Sequence, residues 1–168
     1  ASDSYGIGEL ATRRLIDDGC RRILCLRSNS RMRMPANKRT DAYLDVVEQA
    51  GLSALVREVE FVKPDDEKGA VVAKIPDIDG IFAGDDTMAA ICLNVMKQRG
   101  LSAPDDIKVV GADGARRTMT FMPDLTTVRQ DIDRIGELAA QSIIALINGD
   151  NPESNIKLPV ELIEGKTA

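Results

Sequence analysis

The sequence contains no histidine and no tryptophan, and aromatic residues make up only 3% of its 168 residues. The missing histidine excludes Ser-His and Cys-His nucleophile systems, a histidine general base and most transition-metal sites. The few aromatic side chains argue against a binding site lined by several rings. We therefore expect a protein that is not an enzyme and that uses no metal and no cofactor.

Cysteine content, apolar runs and net charge set further limits. The three cysteines, Cys20, Cys25 and Cys92, are odd in number and match no zinc-binding spacing. Cys25 and Cys92 lie in apolar segments and are expected in the core, whereas Cys20 flanks a strand and is expected to be partly exposed. No run approaches the ~20 apolar residues of a membrane span, and no signal peptide is visible. Reduced thiols predict a cytoplasmic protein, and the net charge of −5 gives it no general attraction for nucleic acid.

Helical and strand patterns alternate along the chain. Helices are predicted at 7–18, 38–50, 65–75, 87–98 and 132–147, and strands at 22–26, 55–62, 80–83, 107–112, 125–128 and 156–163. Such alternation predicts an α/β fold, a doubly wound parallel sheet of the flavodoxin-like, three-layer αβα type with helices on both faces. We expect residues 1–168 to form one domain. The chain begins Ala-Ser-Asp without Met and looks like a fragment of a longer protein.

Ligands of parallel α/β sheets bind outside the carboxyl ends of the strands. The residues that follow the predicted strands are therefore the candidates for a site: Ser28, Asn29, Phe61, Asp85, Asp86, Asp113 and Gln130. Arg39, on the first turn of a predicted helix, is poorly placed for the helix macrodipole. It is either a solvated surface charge or a further member of this set.

The adjacent acids Asp85 and Asp86 stand between a strand and a helix. Asp86 precedes the helix predicted from residue 87 and is expected to cap its first free amides. A cap needs no second acid, which leaves Asp85 as a candidate ligand contact. The simpler interpretation of Asp113 is a turn before Gly114, and that of Gln130 is a cap for the last helix.

Two functional interpretations compete for these polar residues. In the first, Asp85, Asp86 and Asp113 bind Mg²⁺ for phosphoryl transfer. That chemistry usually needs a nucleophilic aspartate on an early strand, but the first predicted strand, 22–26, is followed by Arg27 and Ser28. The phosphate-binding motifs GxxxxGK[ST] and GxGxxG are also missing from the sequence. In the second, carboxylates accept hydroxyl hydrogens of a neutral polyol and an arginine supplies donors. This interpretation uses Arg39, Asp85, Asp113 and Gln130 together.

Several segments resemble the lac-repressor (LacI/GalR) family of bacterial transcription regulators. They are DGIFAGDDTMAA at 79–90, GLSAPDDIKVVGADG at 100–114, MPDLTTVRQDIDRIGELAAQSIIALINGD at 122–150 and LPVELIEG at 158–165, with SDSYGIGELATRRLIDDGCRRI at 2–23 and KRTDAY at 38–43. The resemblance runs from Asp3 to Leu162, with the segments in the family's order and spacing. It implies a periplasmic-binding-protein-like fold and the C-terminal subdomain of an effector-binding region. The helix-turn-helix DNA-binding domain and most of the first subdomain are absent, and the helix at about 130–148 crosses to that missing subdomain in the family.

The resemblance also implies roles for individual residues. Arg39 matches the effector-binding arginine, Asp113 the carboxylate that holds the ligand, and Asp85 a ligand-facing position where relatives often have asparagine. Gln130 lies near the cleft, Asp3 matches an acid at the crossover, and Phe61 falls near a position for a ring that stacks on the effector. A dimer surface is implied at Ala90 and Leu93 on one helix, together with Met119, Phe121 and Met122.

The chain departs from the family pattern at several positions. Asp85 adds a charge where an amide is common, Gly114 replaces an acid or amide, and Cys20 stands where histidine is frequent. A loop with Arg31 and Arg33 has no clear counterpart and could meet an acidic or phosphorylated effector.

The sequence therefore predicts the sugar-sensing part of a cytoplasmic, homodimeric repressor of the LacI family. Such a protein would bind DNA only through the absent domain. A free-standing sugar-binding module and a Mg²⁺-dependent phosphotransfer domain remain as alternatives. In this chain alone, the apolar helix at 132–147 is expected to repack or to mediate self-association.

Overall fold

The computed structural model describes residues 1–28, 36–59 and 77–168, and helices and strands alternate through them. In chain order the elements are α1 (Ser4–Asp17), β1 (Ile23–Ser28), α2 (Ala36–Gln49), β2 (Leu55–Val59), β3 (Gly80–Ala83), α3 (Asp86–Gln98), β4 (Lys108–Asp113), α4 (Arg116–Phe121), β5 (Thr126–Gln130), α5 (Ile132–Ile147) and β6 (Val160–Ile163). The helix predicted at 65–75 and the end of the strand predicted at 55–62 lie outside the described residues. The short helix α4 was not predicted.

The described strands form one six-stranded sheet in the order β2-β1-β3-β4-β5-β6. Strands β1 to β5 are parallel, so their carboxyl ends lie at one edge. Strand β6 runs antiparallel to β5, with Gln130 paired to Val160. The parallel α/β fold is thus confirmed. Its one antiparallel strand, β6, is the outermost strand on one side of the described sheet, an arrangement common in doubly wound sheets.

The core has two layers, one on each face of the sheet. Alternate strand residues point to opposite faces, so Leu24 and Ile81 pack with α3 on one side, whereas Cys25 and Phe82 pack with α1 and α2 on the other. This is the predicted three-layer arrangement. Cys20 is 2% exposed and belongs to the second layer, so the expectation of a partly exposed thiol was wrong.

Helix α5 packs differently from α1 and α3, because none of its residues is buried. Its large apolar side chains lie in solvent, among them Ile143 at 58% and Ile147 at 76% exposure. In the part of the chain that the structure describes, no helix is long and apolar enough to cross a membrane.

Candidate ligand-binding site

Three of the predicted site residues meet at the carboxyl edge of the sheet. Asp113 ends β4, Gln130 ends β5, and Arg39 lies on the first turns of α2. Oδ1 of Asp113 accepts hydrogen bonds from Nη2 of Arg39 at 2.7 Å and from Nε2 of Gln130 at 2.5 Å. Nη1 of Arg39 donates to the carbonyl of Gly84, just after β3. One guanidinium therefore joins α2 to the ends of β3 and β4.

Arg39 reaches this edge because α1 and α2 pack unusually closely. A Cβ atom on Gly8 of α1 would stand 2.1 Å from the carbonyl oxygen of Arg39, far inside van der Waals contact. Only glycine allows this approach. The glycine thus fixes the height of α2 over the sheet and, with it, the position of the guanidinium.

Asp113 holds its carboxylate in a left-handed backbone conformation. Its φ is 105°, and Gly114 follows with φ 56°. A Cβ atom on Gly114 would stand 2.6 Å from Cβ of Arg129 on the neighbouring strand. Non-glycine residues in this region cost about 1–3 kcal/mol each, and such strain concentrates at ligand sites. The surrounding contacts therefore maintain a strained aspartate at the edge where ligands of this fold class bind.

The prediction that Asp86 caps the helix was wrong by one residue. Helix α3 begins at Asp86, and its N-cap is Asp85, whose Oδ1 accepts from the amide of Met88 at 2.8 Å. Asp86 is only 3% exposed, and its Oδ1 accepts from the hydroxyl of Thr127 at 2.6 Å. Asp85 still lies half-buried at the strand edge, directly after Gly84, so its role as a ligand contact stays a prediction.

The buried carboxyl of Asp86 occupies space that β4 leaves open. A Cβ atom on Gly111 would stand 2.6 Å from Oδ1 of Asp86, so a side chain there would collide with it. Burial raises the pKa of Asp86 to about 6, although the Thr127 hydroxyl favours the charged form. Oδ2 of Asp86 has no hydrogen-bond partner. Neither Gly111 nor Thr127 was singled out from the sequence, since a glycine and a threonine inside a strand carry no distinctive pattern.

Gln130 and Asp3 serve different parts of the same edge. Asp131, not Gln130, caps α5 by accepting from the amide of Arg134, which leaves the Gln130 amide for Asp113. Asp3 caps α1 through Gly6 and forms an ion pair with Lys157 at 2.9 Å. Burial acts to raise the pKa of Asp3, but these two partners outweigh it and lower that pKa. A ligand role for Asp3 stays a prediction.

Other candidates cannot be placed or have no ligand-facing contact. Asn29, Phe61, Arg31 and Arg33 lie outside the described residues. Ser28 ends β1 and is half-buried.

The acids that the structure describes do not converge as a metal site would require. Among the described residues, no group of three or more acid or thiol side chains is arranged to hold a metal ion. Asp85 caps a helix, Asp86 accepts from Thr127, and Asp113 accepts from Arg39 and Gln130. The arrangement therefore favours the polyol interpretation over Mg²⁺-dependent phosphoryl transfer.

An open cleft of about 810 Å³ adjoins the cluster. It runs between α4, the start of α5 and β6, and its wall includes Gly114, Arg116, Gln130, Asp131 and Val160. This volume is in the range of small-molecule sites. The cleft therefore gives a ligand room beside Asp113 and Gln130.

The residues of the implied dimer surface differ in exposure. Phe121 is 77% exposed, whereas Met122 and Leu93 are partly buried against the core. Ala90 and Met119 are half-buried. The surface thus has one prominent aromatic residue, and its role in dimer formation stays a prediction.

The chain and its fold match a known protein family. The family model described as a periplasmic binding protein-like domain matches residues 12–168. The chain therefore belongs to the periplasmic binding protein-like domain family. More narrowly, its relatives and structural neighbours are LacI-type transcriptional regulators, which confirms the resemblance noted in the sequence.

Two repressors illustrate the sequence similarity. The sucrose operon repressor of Lactococcus lactis subsp. lactis is 32% identical over 168 residues, which cover 98% of this chain and 52% of that protein. The ribose operon repressor of Halalkalibacterium halodurans is 30% identical over 170 residues, which cover 99% of this chain and 51% of that protein. The chain thus spans about half the length of these relatives.

A solved structure shows the same fold with a sugar bound. The periplasmic binding protein/LacI transcriptional regulator from Alkaliphilus metalliredigens QYMF, complexed with D-xylulofuranose, gives a TM-score of 0.85 at 28% identity. The match covers 99% of this chain and 64% of that one.

Proposed function

We propose that this chain is the C-terminal subdomain of the effector-binding region of a LacI-family transcriptional repressor, and that its carboxyl edge binds a small sugar or sugar derivative. The observation that carries the proposal is the cluster in which Arg39 and Gln130 both donate to Oδ1 of Asp113. Carboxylate and guanidinium groups in fixed geometry suit the paired hydroxyl groups of a sugar. The sugar operons in the names of the relatives, and the D-xylulofuranose of the solved neighbour, support a sugar as the effector.

The domain acts by binding and not by chemistry. In the complete regulator, the effector would occupy the cleft between this subdomain and a first subdomain, and it would favour one arrangement of the two. That shift would change the affinity of a separate DNA-binding domain for its operator. Such a repressor works on DNA in the cytoplasm. It would form a homodimer through α3 and the segment with Met119, Phe121 and Met122, where the exposed Phe121 is suited to an interface.

The full-length regulator provides the test. Its melting temperature and its affinity for operator DNA, measured by fluorescence anisotropy, are followed with sucrose, D-ribose and D-xylulose. We expect at least one sugar to raise the melting temperature, because a ligand that binds only the folded state stabilises it. The same sugar should change operator affinity.

Variants then assign the effect to the cluster. Arg39→Gln and Asp113→Asn should each weaken the sugar response at least about tenfold, since each removes a charge-assisted hydrogen bond. Asp124→Asn is the matched control, because Asp124 is 60% exposed and paired with Lys166 before β5, at the opposite edge of the sheet. A sugar response that survives unchanged in both cluster variants would disprove the proposed site.

A further inference from the structure

The buried carboxyl of Asp86 lies over β4 and reaches β5. Its Oδ1 accepts from the hydroxyl of Thr127 at 2.6 Å, and a Cβ atom on Gly111 would stand 2.6 Å from the same oxygen. Gly111 and Thr127 are neighbours in the register of the two strands. An acid that begins α3 therefore sits against β4 only two residues before Asp113, the carboxylate of the candidate site.

The turn that follows β4 directs backbone amides toward this carboxyl. Burial raises the pKa of Asp86 to about 6, and the amides of Ala115 and Gly114 act against this rise, because an N–H dipole favours the charged carboxylate. Among the described residues none closes a hydrogen bond to Oδ2 of Asp86, so the two amides act through the direction of their dipoles. Successive amides of such a turn form a concave site for an anion. Here the anion is a carboxylate of the protein itself.

The same turn contains the strained backbone of Asp113. A non-glycine residue with φ 105° keeps that conformation only where its surroundings impose it. Arg39 and Gln130 donate to the Asp113 side chain, and Gly114 packs against Arg129 with no room for a Cβ atom. These contacts fix the carboxylate and one flank of the turn, whereas its amides face the buried acid. The buried acid is thus a third support of the strained conformation.

We infer that Asp86 is a positioning residue of the ligand-binding site: its carboxylate, anchored by Thr127, holds the turn at residues 113–115 and thereby sets the position of the Asp113 carboxylate. This inference rests on the proposed function, in which Asp113 contacts the ligand. Asp86 is 3% exposed and acts on the ligand only through the turn. Without the negative charge, the amides of the turn lose the anion that they face, and the turn relaxes. Fewer molecules then hold Asp113 in position, and the apparent affinity falls by the same factor.

Four variants separate this role from general stability. Asp86→Asn keeps the size of the side chain and removes its charge. Thr127→Val removes the hydroxyl that anchors the carboxylate, whereas the conservative variant Thr127→Ser keeps it. Val109→Ala is the matched control, because Val109 is fully buried on the same strand but lies four residues before Asp113, toward the amino edge of the sheet. Its loss of core packing leaves a dissociation constant unchanged as long as the protein remains folded.

The first measurement needs no ligand. Hydrogen exchange of the full-length regulator is followed by mass spectrometry at about pH 8, where a carboxyl with a pKa of about 6 is ionised. In Asp86→Asn, a peptide that contains the amides of Gly114 and Ala115 should exchange about tenfold faster than in the wild type, because local opening of the turn becomes easier. Thr127→Ser and Val109→Ala should leave the exchange of this peptide unchanged.

The second measurement is the affinity for a sugar. Calorimetry on the full-length regulator uses whichever of sucrose, D-ribose and D-xylulose raises its melting temperature. The dissociation constant should rise at least about tenfold in Asp86→Asn and about threefold in Thr127→Val, and it should stay within about twofold of the wild type in Thr127→Ser and Val109→Ala.

The two measurements distinguish a failure of this inference from a failure of the proposed function. Unchanged exchange of the turn in Asp86→Asn, or an unchanged dissociation constant, would overturn the positioning role and leave sugar sensing intact. Equal effects of Asp86→Asn and Val109→Ala would also overturn it, since the role would then be purely structural. If none of the three sugars binds the wild type, the proposed function loses its support, and the exchange result alone decides whether Asp86 holds the turn.

Discussion

The hydroxyl of Thr127 on β5 donates a 2.6 Å hydrogen bond to Asp86, the first residue of α3. Both side chains are buried, at 0% and 3% exposure. The bond passes over Gly111 of β4, where a side chain would leave no room for the carboxyl. It thus connects the helix that follows β3 to the strand that ends at Gln130, directly beneath the candidate site.

Thr127→Val should destabilise the protein by about 2 kcal/mol, because it replaces the hydroxyl that donates to the buried carboxyl of Asp86 with a methyl group of similar size. Urea unfolding followed by circular dichroism measures the loss. Thr120→Val is the matched control, since the Thr120 hydroxyl donates to a backbone carbonyl on the exposed helix α4. Its effect should stay within about 0.5 kcal/mol. Equal losses in the two variants would show that the Asp86 bond contributes nothing special.

Stability should depend on pH through Asp86. Its pKa is about 6 in the folded protein, against 3.8 for an ordinary aspartate. The folded state therefore holds this proton more tightly than the unfolded state. Protonated Asp86 therefore adds to the free energy of unfolding. This stabilisation, on the order of 3 kcal/mol, is fully present below about pH 4 and is lost as the pH rises through 6.

The comparison with Asp86→Asn isolates this contribution, because asparagine does not titrate. As the pH falls from 6.5 to 4.5, the wild type should gain stability relative to the variant, as measured by urea unfolding at each pH. A difference that stays constant over this range would contradict a raised pKa for Asp86. Carbon-13 NMR titration of the Asp86 carboxyl gives an independent reading.

Backbone strain at Asp113 can be separated from its hydrogen bonds. Asp113→Ala and Asp113→Gly both remove the carboxylate, but only glycine adopts a φ of 105° without strain. Asp113→Gly should therefore be more stable than Asp113→Ala by about 1 kcal/mol, measured by thermal and urea unfolding. If alanine is equally stable at this position, the left-handed conformation costs nothing and the strain argument fails.

Two glycine-to-alanine substitutions should have opposite effects. Gly8→Ala places a methyl group 2.1 Å from the Arg39 carbonyl and should cost about 2 kcal/mol or more. It should also weaken ligand binding, because α2 carries Arg39. Gly136→Ala, on the exposed helix α5 with nothing within 4 Å, should stabilise by about 0.5–1 kcal/mol. Melting temperatures of the two variants that shift in the same direction would contradict this.

The exposed apolar side chains of α5 should make the 168-residue chain self-associate at high concentration. The double variant Ile143→Lys with Ile147→Lys should shift the chain toward monomer in analytical ultracentrifugation, since these two side chains are 58% and 76% exposed. Leu101→Lys, at an exposed leucine after α3, serves as the control and should change little. A wild-type chain that stays monomeric at every concentration would disprove this expectation.

The sequence predicts the layers of this fold well because periodicity reports them directly. Alternating apolar strands and amphipathic helices gave the parallel sheet and the helix α5 with its observed limits, Ile132–Ile147. Helix α4 was missed because its six residues are too few to show a helical period. The antiparallel direction of β6 was missed because a short apolar strand looks the same in either direction.

The site was predictable as a set of positions but not as a set of bonds. Arg39, Asp113 and Gln130 were expected at the carboxyl edge, and they meet there. The cap falls on Asp85 and not on Asp86, because a cap depends on which residue begins the helix, and boundaries are the least predictable part of an element. A shift of one residue turned the expected cap into a buried acid.

The contact between Gly111 and Asp86 has a consequence for how this sequence can change over time. A Cβ at position 111 and the carboxyl at position 86 compete for the same space, 2.6 Å apart. A larger residue at position 111 becomes tolerable only once position 86 has a shorter side chain. These two positions, 25 residues apart in the chain (111 against 86), should therefore covary in related sequences. A smaller residue at position 86 should make larger residues acceptable at position 111, where they are not acceptable beside aspartate.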